Sequence, residues 1–197
     1  MYDLFNLTIE YDEDLDAYAV IECLVDYSRF ERVPEMYDDK IHGLKPVAKI
    51  GEHAFSDCFA LCNIELPKSI KIIEDKAFYK CESLLTLEIP HGVTKIQCGV
   101  FNSCTKLTNV IIPNSVTEID NNAFVSCINL TDIKIPSSVK KIHAYAFDDC
   151  TNLKNIEIPI SIEEIHKDAF RGVPKEALGD YKEWLKFSAM RDFCLEK

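Results

Sequence analysis

The sequence predicts a right-handed solenoid, a coil with parallel β-strands along one face and short strands and 3₁₀ or helical turns along the others. A β-hairpin closes its N-terminal end and a helix its C-terminal end. Three observations predict it: side-chain ladders with a 23-residue step, a strand-like alternation inside each repeat, and end segments that leave the pattern. Phenylalanine recurs at Phe55, Phe78, Phe101, Phe124, Phe147 and Phe170, and cysteine at Cys58, Cys81, Cys104, Cys127 and Cys150. Proline (Pro67, Pro90, Pro113, Pro136, Pro159) and leucine (Leu61, Leu84, Leu107, Leu130, Leu153) keep the same step without insertion or deletion. A fixed period of this length means one small unit copied and stacked, because no single copy can bury its own apolar face.

Within the clearest copy, Ile133 and Ile135 alternate with polar neighbours, the period-2 mark of a strand with one buried face. Pro136 ends that strand, since it has no N–H for a ladder bond. Val139 and Ile142 predict a second apolar side, from a short strand or extended segment. Ala146, Phe147 and Cys150 have the i, i+1, i+4 spacing of one helical turn that brings the chain back. Phenylalanine then forms an internal stack, because its ring is the largest apolar area in the unit.

The ends must be covered, since an open coil exposes strand edges and apolar side chains. Residues 4–27 read as a hairpin with Leu7, Ile9 and Tyr11 on one strand, Tyr18, Val20 and Cys23 on the other, and Asp12 to Asp16 as the loop. Val33-Pro34 to Tyr37, followed by Val47 to Gly51, reads as a degenerate first repeat. At the far end Asp180 with Glu183 marks a helix start, and Tyr181, Trp184, Leu185 and Ser188 share one helical face. The divisions fall at 1–46, 47–172 and 173–197, all within one structural domain.

These residues resemble the BspA-like leucine-rich repeats, whose 23-residue units carry Ile-Pro-x-Ser-Val and Ala-Phe-x-x-Cys segments. The resemblance covers residues 47–172. Leu61, Ile64, Leu66 and Ser69 match the general Leu-x-x-Leu-x-Leu-x-x-Asn frame, with Ser69, Ser115, Ser138 and Ser161 in the asparagine row and Gly92 breaking it. The resemblance implies a polar ladder that satisfies turn backbone groups, and a binding function, including adhesion to host or matrix proteins.

With 47% hydrophobic and 28% charged residues, the chain has the composition of a folded globular domain. No apolar run approaches the roughly 20 residues of a membrane-spanning helix. The net charge of −11 disfavours nucleic acid and anionic membranes. Its excess is concentrated early: residues 1–49 hold 12 acidic against 5 basic side chains. Five of nine cysteines occupy one repeat position, where stacked neighbours stand about one strand spacing apart, ~4.8 Å, with parallel side chains. That direction favours a column of buried thiols over disulfides. An odd cysteine total and a start without a basic-then-apolar segment point to the cytoplasm; a removed signal would place the protein outside the cell or on its surface.

Chemistry-bearing motifs are weak. Asp12, Asp14 and Asp16 alternate like the start of a calcium loop, but Ala17 and Cys23 stand where glycine and glutamate are required, so a solvated acidic turn is expected. His143 and His166 share one repeat position with Asp120 a coil earlier, close enough for a shared metal, yet the column Gly51, Glu74, Gln97, Asp120, His143, His166 reads as variable surface. Regular, buried cysteines are poor nucleophiles. The expectation is no catalysis, no cofactor and no metal, with a metal or thiol enzyme using His143, His166 or Cys98 as the remote alternative.

What remains is surface. Outward strand positions form columns across the first face: Glu65, Glu88, Ile111, Lys134, Glu157; then Asn63, Thr86, Asn109, Asp132, Asn155; then Cys62, Leu85, Thr108, Thr131, Lys154. Leu85 and Ile111 are the apolar exceptions, and a face of five or six strands is about 25–30 Å long, enough for a standard protein interface. The expected function is a non-catalytic, monomeric interaction module, with Asn63, Glu65, Leu85, Thr86, Glu88, Asn109, Ile111, Asp132, Lys134, Asn155 and Glu157 facing an unidentified protein. A surface adhesin is the alternative.

Overall fold

The computed structural model describes residues 7–23 and 30–179. Strands β1 (Leu7–Asp12) and β2 (Ala17–Cys23) form the antiparallel hairpin, with Tyr11 opposite Tyr18. Its Asp12 side chain folds the loop by accepting the Asp14 and Leu15 N–H groups, both at 3.1 Å, and it also meets Lys49. Local bonds thus occupy the residue that opens the calcium-like pattern. Residues 4–6 and 24–27 of the expected hairpin lie outside the described residues, as does the expected helix over Asp180–Ser188. The described C-terminal end is a 3₁₀ helix, Lys175–Leu178.

Three further strands complete the first coil: β3 (Phe30–Arg32), β4 (Met36–Tyr37) and β5 (Lys45–Ile50). Strand β2 runs parallel to β5, Gly51 N–H donates to the Val20 carbonyl at 2.7 Å, and Cys23 N–H donates to Ala54 at 2.7 Å. Later coils bond to one another in the same way, as when Glu74 N–H donates to Ile50 and Phe55 N–H to Ala77. The hairpin therefore stands in for a preceding coil. It caps the open edge by supplying the backbone partners that edge would lack.

The repeat begins earlier than Val33, because β3 pairs in parallel with β6 (Asn63–Glu65). Arg32 faces Glu65 across 33 residues, whereas Lys49 faces Ile72 across 23, so this coil carries ten extra residues. They hold β4, antiparallel to β5, and a loop pinned by Tyr18. Tyr18 is fully buried; its hydroxyl donates to the Gly43 carbonyl at 3.0 Å and accepts the Asp39 N–H at 3.1 Å.

Five regular coils follow. The second face is built from β7 (Ile72–Ile73), β9 (Lys95–Ile96), β11 (Glu118–Ile119), β13 (Lys141–Ile142) and β15 (Glu164–Ile165). Strands β9, β11, β13 and β15 form one parallel sheet in unbroken 23-residue register. The first face continues from β6 through β8 (Thr86–Glu88), β10 (Asn109–Ile111), β12 (Asp132–Lys134) and β14 (Asn155–Glu157). Here ladder pairing is limited to β3–β6, β8–β10 and β12–β14.

On the third side the sequence predicts one helical turn over Ala146–Cys150, and the structure forms a chain of tight turns instead. Amide N–H groups alternate in target. Ala54, Ser56 and Cys58 donate three residues back, to Gly51, His53 and Phe55, while His53, Phe55 and Asp57 donate forward to Asp75, Ala77 and Tyr79 of the next coil. A helix would turn all of these donors inward and leave the coils unbonded. The turns require left-handed backbone at two positions per coil, occupied by His53 and Asp57, then Lys76 and Lys80, Gly99 and Ser103, Asn122 and Ser126, Tyr145 and Asp149. Positive φ at the third position of a four-residue turn is the type II geometry.

The core lies between these three sides. Phe55, Phe78, Phe101, Phe124 and Phe147 are fully buried, and neighbouring rings from Phe55 to Phe170 stack at 5.0–5.8 Å between centroids and 4–20° between planes. Burying each ring contributes about 2–3 kcal/mol. The cysteine ladder packs beside it as free thiols, and Cys81, Cys104, Cys127 and Cys150 each donate S–H to the phenylalanine carbonyl of the previous coil at 3.0–3.1 Å. The serine ladder works similarly at the corner between first and second faces. Ser69, Ser115 and Ser138 donate to the Val47, Val93 and Val116 carbonyls and Ser161 to Ser137, all at 2.7 Å. Gly92 interrupts the row because a Cβ there would lie 2.5 Å from the Ile70 carbonyl oxygen. The backbone itself closes the gap.

Candidate protein-binding face

The strand pairing sets the first-face columns. Asn109 lies opposite Thr86 and Ile111 opposite Glu88; Asp132 lies opposite Asn155 and Lys134 opposite Glu157. Alternation then points Val110 and Ile133 into the core and their neighbours out. Asn63, Glu65, Leu85, Thr86, Glu88, Asn109, Ile111, Asp132, Lys134, Asn155 and Glu157 are all exposed. Their mutual contacts are sparse. Asn155 Nδ2 donates to Asp132 Oδ1 at 2.8 Å, Arg32 pairs with Glu65, and Lys134 and Glu157 stand 3.9 Å apart with both side chains at least 75% exposed. At that exposure the last pair contributes almost nothing.

Ile111 opens onto a cleft of about 640 Å³ that runs across the coils past Lys134, Pro136, Glu157 and Pro159 to Ile160, and Leu85 is not part of its lining. Ile111 is 53% exposed and Ile160 98% exposed. Ile160 was outside the expected set, although one signal marks it: the equivalent corner residues are Lys68, His91, Asn114 and Ser137, all polar. An unburied isoleucine at the rim of a cleft is surface that a partner could cover. The ten-residue insertion adds Met36, Ile41 and Leu44, all exposed, and the Ser69 hydroxyl on the same corner lies 3.4 Å from the Glu35 carbonyl oxygen. Exposed apolar side chains therefore stand near both ends of one corner.

The second face is arranged differently. Lys95 Nζ lies 3.1 Å from Glu118 Oε1 and 2.8 Å from Asp120 Oδ2, and His143 Nε2 lies 2.6 Å from the same Glu118 oxygen. Burial would raise both carboxyls, but the hydrogen bonds from Lys95, joined at Glu118 by His143, hold them below the ordinary carboxylate value. His166 does not join this group; its Nδ1 accepts the Asp168 N–H at 3.2 Å. Cys98 is half-buried, and burial together with the charges of Asp75 and Asp120 raises its thiol above the usual range. Burial raises the ladder thiols of Cys81, Cys104 and Cys127 further, and that of Cys150 to about 12. Thiols held protonated in this way are not activated nucleophiles.

Six copies of the BspA type leucine rich repeat region match residues 48–176. The chain belongs to the BspA-type leucine-rich repeat family. Leucine-rich repeat proteins of known structure share its course. A T. pallidum leucine-rich repeat protein superposes with a TM-score of 0.77 at 24% identity, covering 92% of this chain and 94% of that one. A Bacteroides ovatus ATCC 8483 leucine-rich repeat protein gives 0.72 at 25% identity, with 82% of this chain aligned to 42% of that one. A Faecalibacterium prausnitzii A2-165 protein described as a leucine rich cell surface protein gives 0.53 at 23% identity over 79% and 53% of the two chains. No curated protein sequence matches. BspA-type repeats are scaffolds of the kind that serves protein interaction, and among the described residues no helix is long and apolar enough to cross a membrane.

Proposed function

We propose that this BspA-type repeat chain is a non-catalytic protein-binding module whose partner docks along the first face and anchors an apolar side chain in the cleft between Ile111 and Ile160. The observation that carries the reading is the isoleucine at 98% exposure on the rim of that cleft, in a row otherwise polar. Lys134 and Glu157 line the cleft without a close mutual bond, so both charges are free to meet partner groups. Affinity capture with wild type beside an Ile111→Asp, Ile160→Asp double variant tests it. A partner retained by wild type and lost from a folded variant supports the cleft. Equal capture by both overturns it and directs attention to the exposed insertion at Met36, Ile41 and Leu44.

A surface adhesin would use the same face outside the cell. The likeness in fold to a protein described as a cell surface protein favours keeping that version. Thiol counting in the native source separates the two, because an oxidising compartment would convert the accessible Cys62 and Cys98 while leaving the buried ladder reduced.

A further inference from the structure

Two sites on the second face are built alike. Lys49 Nζ sits 3.1 Å from Asp12 Oδ2 and 2.9 Å from Glu74 Oε1, as Lys95 sits between Glu118 and Asp120. At the first, one ammonium between two carboxylates explains the whole arrangement. The second has a further member. His143 brings an imidazole nitrogen against the Glu118 oxygen that Lys95 already uses. One ligand atom each from Glu118, Asp120 and His143 falls within 4.8 Å of the others.

The repeat creates this convergence. Glu118 and Asp120 are two residues apart along one extended segment, so both point outward from the same face. His143 occupies the Asp120 position one coil later, and its ring reaches diagonally back to Glu118. All three are half-buried, which limits their rotamers and leaves one side open to solvent.

We propose that Glu118, Asp120 and His143 bind a divalent transition-metal ion, zinc fitting best, in exchange for the Lys95 ammonium. One imidazole nitrogen and two carboxylates make a borderline-to-hard donor set with a coordination position left over, as in open zinc sites. The Lys95 side chain is about one-third exposed and belongs to the preceding coil, so it can withdraw into water when a doubly charged ion takes over both carboxylates. The bound ion would tie two coils together on the face opposite in character to the docking cleft. Sequence spacing alone points to His143 with His166, but it is Glu118 that completes the set.

Zinc titration of the purified, reduced chain by calorimetry tests the site, with Co²⁺ absorption as a second readout. The expected results are one saturable site with a nitrogen/oxygen ligand-field spectrum and no thiolate charge-transfer band. His143→Ala should weaken binding at least tenfold, and Lys95→Met should tighten it several-fold by removing the internal competitor. Lys49→Met, at the look-alike site without a histidine, should leave it unchanged. Should His143→Ala melt abnormally, His143→Gln serves in its place. No saturable binding, a thiolate band, affinity indifferent to His143, or no gain from Lys95→Met would each overturn the proposal.

Discussion

The two flat sides of this coil come from the same 23-residue unit, yet they spend their side chains differently. Along the second face charges meet one another: Lys95 with Glu118 and Lys141 with Glu164 at 3.1 Å, and Lys140 with Glu163 at 3.7 Å. Its strands β9, β11, β13 and β15 hydrogen-bond as a continuous sheet. The first face pairs its strands in twos, holds Lys134 and Glu157 at 3.9 Å, and leaves Ile111 and Ile160 uncovered. A column whose members satisfy each other stabilises the stack. A column whose members do not leaves its groups facing solvent.

The largest test strikes what both faces share. Phe101→Ala empties the centre of the ring stack and should cost about 4 kcal/mol, read by denaturant unfolding, with both faces losing order together. Loss confined to one face would break the picture of a common core. Gly92→Ser comes next. Counting repeats alone suggests that serine completes the ladder and stabilises; the Cβ 2.5 Å from the Ile70 oxygen says it should instead cost about 2 kcal/mol, visible as a lower melting temperature. Ser138→Ala removes a bond to the Val116 carbonyl and should cost about 1 kcal/mol.

Smaller effects sharpen the contrast between faces. Lys95→Met should destabilise by about 1 kcal/mol in low salt and less in high salt, while Lys134→Met should leave the melting temperature unmoved in either. Acid should act on the same side. Glu118 and Asp120 titrate below their unfolded values, so their contribution is present in full above about pH 5 and lost as the pH falls through the carboxylate range. Thermal melts from pH 7 to 3 should show a smaller acid loss in Lys95→Met than in wild type.

The ladders were legible because each residue type recurs at a fixed step, and stacking alone then places Phe78, Phe101 and Phe124 in one column. The serine bonds were legible in outline too. The features that escaped are those without a periodic signal. Strand β3 is hidden because ten inserted residues slide Arg32 out of step with Glu65. The left-handed turn positions hold Lys, Asp, Ser, Asn, His and Tyr, with glycine in that role only at Gly99 and Gly172, so no residue type announces them. The i, i+1, i+4 pattern that suggests a helical turn arises equally from alternating turns, since both bring Phe147 and Cys150 to one side. Ile160 is missed because the polar row it interrupts, Lys68, His91, Asn114 and Ser137, keeps no single residue type and so forms no visible ladder. On the first face it was the departure from the period, and not the period, that carried the information.

The alternating amides of the third side have an effect on how such chains vary in length. Each forward bond spans 22 residues, from Phe55 to Ala77 and again from Phe78 to Val100, so the four coils that start at His53, Lys76, Gly99 and Asn122 meet their successors through the same three donors and acceptors. Excising a full 23 residues between Cys58 and Cys150 rejoins two matching surfaces, whereas excising 22 rotates every later side chain out of its row. Copy number can therefore drift in whole steps while the two ends, and whatever each end contacts, stay unchanged.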